Sequence, residues 1–193
     1  MDQYLQSSEF IDWDNHLVAA KAKELSVGAA SPEEIAKNCF EYVRDQIKHS
    51  GDHELNPVTC KASDVLEHET GWCYAKSHLL AALLRANKIP AGLCYQRLTI
   101  DNDEPPFCLH GLNAVYLPNI GWYRIDPRGN KPGVDAQFSP PTERIAFSPA
   151  VEGEVDLPEI WPEPLPNVVN LLTSAKPFHD VANNLPDIEI INS

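Results

Sequence analysis

Proline placement constrains this chain more than any other feature. Of its 17 prolines, six fall in the first 126 residues and eleven in the last 67. Each proline removes a backbone donor and fixes φ, so such spacing forbids long helices and central sheet strands. The chain therefore divides into a regular front and an irregular back. Beyond Pro127 the sequence predicts only a strand at Arg144 to Phe147 and a short helix near Val168 to Ser174.

The front half carries helix signals first. Asn15 to Leu25 fits one short helix. Ser31-Pro32-Glu33-Glu34 opens a second, with Ser31 as N-cap, Pro32 at the first helical position and Glu34 closing a capping box. Ile35, Cys39, Phe40, Val43 and Ile47 then recur at helical spacing, predicting a helix over 32–49. After a polar loop from His49 to Lys61, Ser63 is placed to cap a single turn through Leu66. Tyr74 to Asn87 is rich in Ala and Leu, with almost no β-branched residue, and predicts a buried helix ended by Asn87 and Pro90.

Strand signals follow at Ala91 to Ile100, Leu109 to Leu117 and Trp122 to Asp126, with a charged loop from Asp101 to Pro106 and a turn at Pro118-Asn119-Ile120-Gly121. Helices followed by an antiparallel meander make an α+β plan. With neither repeat nor linker, residues 1–193 read as a single domain.

Charge and cysteine content exclude whole classes of function. Twenty-eight acidic against fifteen basic residues give a formal charge of −13, which repels phosphate backbones and anionic lipid surfaces. The expectation is no nucleic-acid and no membrane partner. The amino terminus lacks the basic head and apolar run of a secretion signal. Five cysteines with no CxxC pair fit thiols in a reducing compartment, so a cytoplasmic location is expected.

Cys73 stands apart from the other thiols. It sits where a loop becomes a helix, next to unpaired N–H groups and the positive end of the macrodipole, a setting that favours a thiolate nucleophile. Gly71 permits a tight entry, and the Cys73 N–H is a candidate oxyanion donor. A thiolate nucleophile needs an imidazole partner, and the imidazole an orienting group. His110 and Asp126 lie on adjacent predicted strands. If Leu117 pairs with Trp122, they point to opposite faces. If Leu117 lies opposite Gly121, Asp126 falls beside Leu112 and within reach of His110. A Cys73-His110-Asp126 site therefore requires an odd-length loop or a bulge, for which Gly121 suits the left-handed position.

These blocks resemble the transglutaminase-like superfamily. The similarity rests on Gly71-Trp72-Cys73-Tyr74-Ala75-Lys76-Ser77, on Ala81-Ala82-Leu83-Leu84-Arg85-Ala86 with Ile89-Pro90-Ala91-Gly92, and on His110 followed by Gly121-Trp122-Tyr123-Arg124-Ile125-Asp126-Pro127. The resemblance implies a papain-like core over about 32–130, its nucleophile helix packed on an antiparallel sheet, with a proline-rich wrap over 131–193. It implies Cys73 as nucleophile, His110 as general base then acid, and Asp126 as orienter. Many members carry an aromatic residue two places after the histidine, where this chain has Leu112.

The expected chemistry is attack on an amide or peptide carbonyl through a thioester, ending in hydrolysis or acyl transfer, with no cofactor. The substrate is a peptide, protein or small amide. Trp72 and Trp122 are candidate walls of the site, and Gln96 a candidate side-chain oxyanion donor beside Gln46 and Asn56. The rival reading is a non-catalytic peptide-binding module on the same fold. A third is a metal site in the cluster His49, His53, Cys60 and His68. That cluster lacks the paired CxxC or HExxH spacing of zinc motifs, so no metal is expected.

Overall fold

The computed structural model describes residues 1–101 and 104–188. In chain order the elements are α1 (His16–Ser26), α2 (Pro32–Gln46), β1 (Lys48–His49), α3 (Ser50–His53), α4 (Ala62–His68), β2 (Thr70–Gly71), α5 (Cys73–Ala86), β3 (Ala91–Asp101), β4 (Glu104–Leu117), β5 (Gly121–Ile125), β6 (Val155–Asp156), α6 (Pro166–Ser174) and α7 (Phe178–Ala182). Strands β3 to β6 form an antiparallel sheet in the order β5-β4-β3-β6. The fold is α+β, as expected.

Helix α5 is the axis of the molecule. Every residue from Cys73 to Arg85 is buried, so the helix is wrapped on all sides, which its even spread of Ala and Leu allows. Helices α1, α2 and α4 cover it on one side and strands β3 and β4 on the other. Most of its polar groups find partners within the protein, although His78 Nε2 has none among the described residues. His78 Nδ1 lies 2.8 Å from the Cys60 carbonyl, so His78 and Cys60 belong to the core, not to a metal cluster. Arg85 donates to the carbonyls of Gln6, Ala91 and Pro162, tying both ends of the chain to the helix.

Several boundaries differ from the sequence reading for local reasons. Ser31 caps α2 by accepting from the Glu34 amide at 3.2 Å, but the Glu34 carboxylate reaches Ala30 N and not Ser31 N. Helix α2 stops at Gln46 and does not run to residue 49. Lys76 Nζ takes the Arg44 and Ile47 carbonyls, and Lys48–His49 turns outward to pair in parallel with Thr70–Gly71. Helix α4 begins at Ala62 and outlasts the single turn expected. Ser63 does not cap it: its amide donates to Asp12 Oδ1 at 3.0 Å. Glu104 to Pro106 belongs to β4, not to a loop, and the rest of that expected loop falls partly outside the described residues.

The expected strand at Arg144 to Phe147 is replaced by one isolated bridge between Gln137 and Arg144. Its polar groups are spent elsewhere: Ala146 N donates to Asp126 and the Phe147 carbonyl accepts from Gln96. The helix near 168–174 is present as α6. The short elements β6 and α7 carry no periodic signal of their own.

Candidate active site

The β4–β5 turn decides whether the site can exist. Leu117 lies opposite Gly121 and Asn113 opposite Ile125, the odd-loop register, with Gly121 at φ 87°. Asp126 follows directly and turns inward. Its Oδ2 lies 2.8 Å from His110 Nε2, and the Arg128 and Ala146 amides donate to its two oxygens at 3.0 and 3.1 Å. Asp126 is fully buried and His110 is 5% exposed.

Electrostatics follow from this packing. Burial disfavours charge on His110, but Asp126 and the sulfur of Cys73, each close enough to hydrogen-bond it, prevail and push its pKa up to about 10. Burial would likewise raise Asp126. The His110 charge, its hydrogen bond and the two amides hold the carboxyl below its ordinary value instead. With Asp126 on Nε2, His110 turns Nδ1 toward Cys73.

Cys73 opens α5 and is 6% exposed. The Gly111 amide points at its sulfur from 3.5 Å. A Cβ on Gly111 would come within 3.1 Å of Tyr74 Cα, so glycine lets β4 lie against the first turn of α5. At Cys39, Cys60 and Cys94 desolvation pushes the thiol up to about 12.

A cleft of about 550 Å³ opens over Cys73 and His110. Its apolar walls include Trp72, Leu98, Leu109, Phe147 and Leu185. Phe147 stands edge-on to His110, centroids 5.1 Å apart. The two full charges at the rim are already committed. Arg128 donates to both Asp52 oxygens at 2.7 and 2.9 Å, and Glu154 accepts from Thr99 and from the Ala150 and Val151 amides.

The peripheral candidates separate. Trp72 lines the cleft, its ring edge-on to His49. Trp122 does not; it packs on Tyr4 and Tyr116 near the far end of the hairpin. Gln96 lies opposite His110 in the register, with its amide donors engaged away from the cleft thiol. Its amide donates to the Phe147 carbonyl at 3.1 Å and to Asp156 at 2.7 Å, so it steadies the ring beside His110. Gln46 is exposed, and Asn56 accepts from the Phe178 amide.

The sequence reading missed His49 as a cleft residue. The parallel pairing of His49 with Gly71 carries it to the loop that ends in Cys73. Its Nδ1 accepts from the Asp52 amide at 3.3 Å, which leaves the proton on Nε2. Burial first, then the positive charges of Arg128 and Lys76, hold its pKa well below 6.5 despite Asp52. His49 is thus a neutral N–H donor, and its Nε2 has no hydrogen-bond partner among the described residues. The only signal in the sequence was a histidine two residues past Ile47, the last apolar residue at helical spacing.

A family description, the transglutaminase-like superfamily, matches residues 19–127, more than half of the chain. The chain belongs to that superfamily. The known structures similar to this member of the superfamily include a candidate cysteine protease from Cytophaga hutchinsonii, 22% identical over 65% of this chain and 40% of that one, TM-score 0.52. Another is the periplasmic domain of TgpA from Pseudomonas aeruginosa, 20% identical over 64% and 45% of the two chains, TM-score 0.48. A third is red sea bream transglutaminase, 13% identical over 66% and 32%, TM-score 0.46. The chain thus covers less than half the length of each, and the likeness is one of fold. No curated protein sequence matches it. Among the described residues no helix is long and apolar enough to cross a membrane.

Proposed function

We propose that the protein is a cysteine-dependent hydrolase or acyltransferase of amide and peptide carbonyls. The observation that carries this reading is the geometry at His110: Asp126 2.8 Å from one ring nitrogen and the sulfur of Cys73 on its other side.

In the proposed reaction the Cys73 thiolate attacks the carbonyl carbon, forming a C–S bond and placing negative charge on the carbonyl oxygen. The Cys73 N–H and His49 Nε2–H take up that charge. The C–N bond then breaks, with its electron pair leaving on nitrogen, and protonated His110 delivers its proton to the departing amine. Neutral His110 next accepts a proton from water as the water oxygen attacks the thioester. Expulsion of the Cys73 thiolate restores the starting state and releases a carboxylic acid. An amine in place of water gives transfer. Hydrolysis is the favoured outcome, since no acyl-acceptor site is distinguishable among the described residues. Asp126 holds the ring and offsets the imidazolium charge throughout.

A cytoplasmic setting is proposed alongside, supported by an odd number of cysteines, five, with no CxxC pair in the sequence. The test is incubation with a peptide mixture, with and without hydroxylamine. Cys73-dependent hydroxamates report the thioester, and new carboxyl ends report hydrolysis. Turnover retained in Cys73→Ala would overturn the reading.

A further inference from the structure

The outer edge of β4 is paired with β5 only as far as Asn113. Beyond that point the edge amides alternate outward. Gly111 N–H meets the Cys73 sulfur, and the next, Leu109 N–H, donates to the Pro186 carbonyl at 2.7 Å. The carboxy-terminal segment thus holds the edge donor next after the one that meets the thiol. On either side of that bond, Leu185 forms part of the cleft wall, and Asp187 receives two parallel bonds of 2.7 Å from Arg97 Nε and Nη2.

Arg97 is built as a carboxylate receptor independently of Asp187. Its remaining nitrogen donates to the Gly153 carbonyl at 2.8 Å, and its guanidinium lies 3.8 Å over the Phe107 ring. Gly153 is required for this arrangement, since a Cβ there would come within 2.5 Å of Phe107. Arg97 pairs with Leu109 across the β3–β4 ladder, so the fork and the edge donor share one rung. An edge amide, an apolar wall and a preorganised fork are the parts with which a sheet edge binds an extended peptide.

We propose that this edge is a docking site for an extended acidic peptide with an aliphatic residue followed two places later by a carboxylate, and that Leu185–Asp187 is its internal occupant. The segment is held there by one main-chain bond, one partly exposed ion pair and the half-buried side chains of Leu185 and Ile188, contacts that a second peptide of the same pattern can replace one for one. The inference rests on reading this cleft as the substrate site, but its test reads binding alone.

The probe is a fluorescein-labelled, end-blocked peptide with the sequence of residues 184–188, followed by fluorescence polarisation on the full chain. Asp187→Ala is expected to bind it about threefold or more tighter than the wild type, because the internal competitor is weakened. Adding Arg97→Ala should abolish that gain. A probe with Asn in place of its Asp should bind poorly to every variant, a control that needs no altered protein. Equal binding to wild type and Asp187→Ala, or indifference to the probe's carboxylate, would overturn the proposal. Binding as expected without any turnover would leave the docking site standing and remove the enzymatic reading.

Discussion

The Gly111 amide aims its N–H at the Cys73 sulfur from 3.5 Å, fixing the thiol against the strand that carries His110. Backbone can approach that closely only because residue 111 has no side chain, as Tyr74 Cα would lie 3.1 Å from a Cβ there. Gly111→Ala should push β4 away from α5, costing about 1–3 kcal/mol of stability through overpacking. Because catalytic geometry tolerates little displacement, it should also lower kcat about a hundredfold. Urea unfolding and peptide turnover check the two effects separately.

His49 is expected to act as a neutral donor. His49→Phe should lower kcat by about 10²-fold, the usual effect of losing one oxyanion donor, with little change in KM. His49→Gln, which keeps an N–H of similar reach, should recover part of the loss. Equal loss in both variants, or a loss confined to KM, would remove His49 from the oxyanion site.

The raised pKa of His110 gives the alkaline limb of the pH–rate profile. The proton lost as pH climbs through about 10 is the one needed by the leaving amine, so kcat/KM should fall there. Asp126→Asn removes the charge that holds this proton, and the limb should move to lower pH as the maximum rate drops. Stability follows the same sign. A histidine pKa raised from 6.5 in the folded state contributes stability that is complete below 6.5 and lost as pH rises through about 10. His110→Ala should therefore destabilise more at pH 6 than at pH 10.5, measured by denaturant titration.

Lys76 carries the opposite sign. Burial, opposed by Asp126, lowers its pKa from 10.5 to about 7. The folded state thus favours the neutral amine. That contribution is complete above 10.5 and is lost as pH falls through about 7. Lys76→Met also removes the bonds to Arg44 and Ile47 carbonyls at the end of α2. Its destabilisation should be larger at pH 10 than at pH 7; the reverse order would mean that Lys76 is buried charged.

Much of this architecture is legible in the sequence because local rules and tertiary packing agree. Ser31-Pro32 starts α2, the Ala- and Leu-rich run builds α5, and Gly121 permits the odd loop on which the pairing of His110 and Asp126 depends. The failures lie where tertiary partners decide. Arg144 to Phe147 reads as a strand, yet Asp126 and Gln96 claim its polar groups. His49 reads as the start of a polar loop, because a two-residue parallel pairing leaves no periodic trace. Gln96 has the chemistry of an oxyanion donor, but Phe147 and Asp156 engage its amide. Leu185 and Asp187 carry no signal until the fold brings them to β4.

The central claim is that Cys73 is a nucleophile activated by His110, and site-resolved alkylation tests it most directly. Limited iodoacetamide at pH 7, with the labelled positions read by peptide mass mapping in a Cys108→Ser background, isolates the cleft thiol Cys73 from the other thiol of the cleft. Cys73 should label at least about tenfold faster than Cys39, Cys60 and Cys94, whose thiols burial pushes up to about 12. His110→Ala should erase the advantage. Labelling of Cys73 no faster than the buried thiols, or unchanged by His110→Ala, would contradict the account.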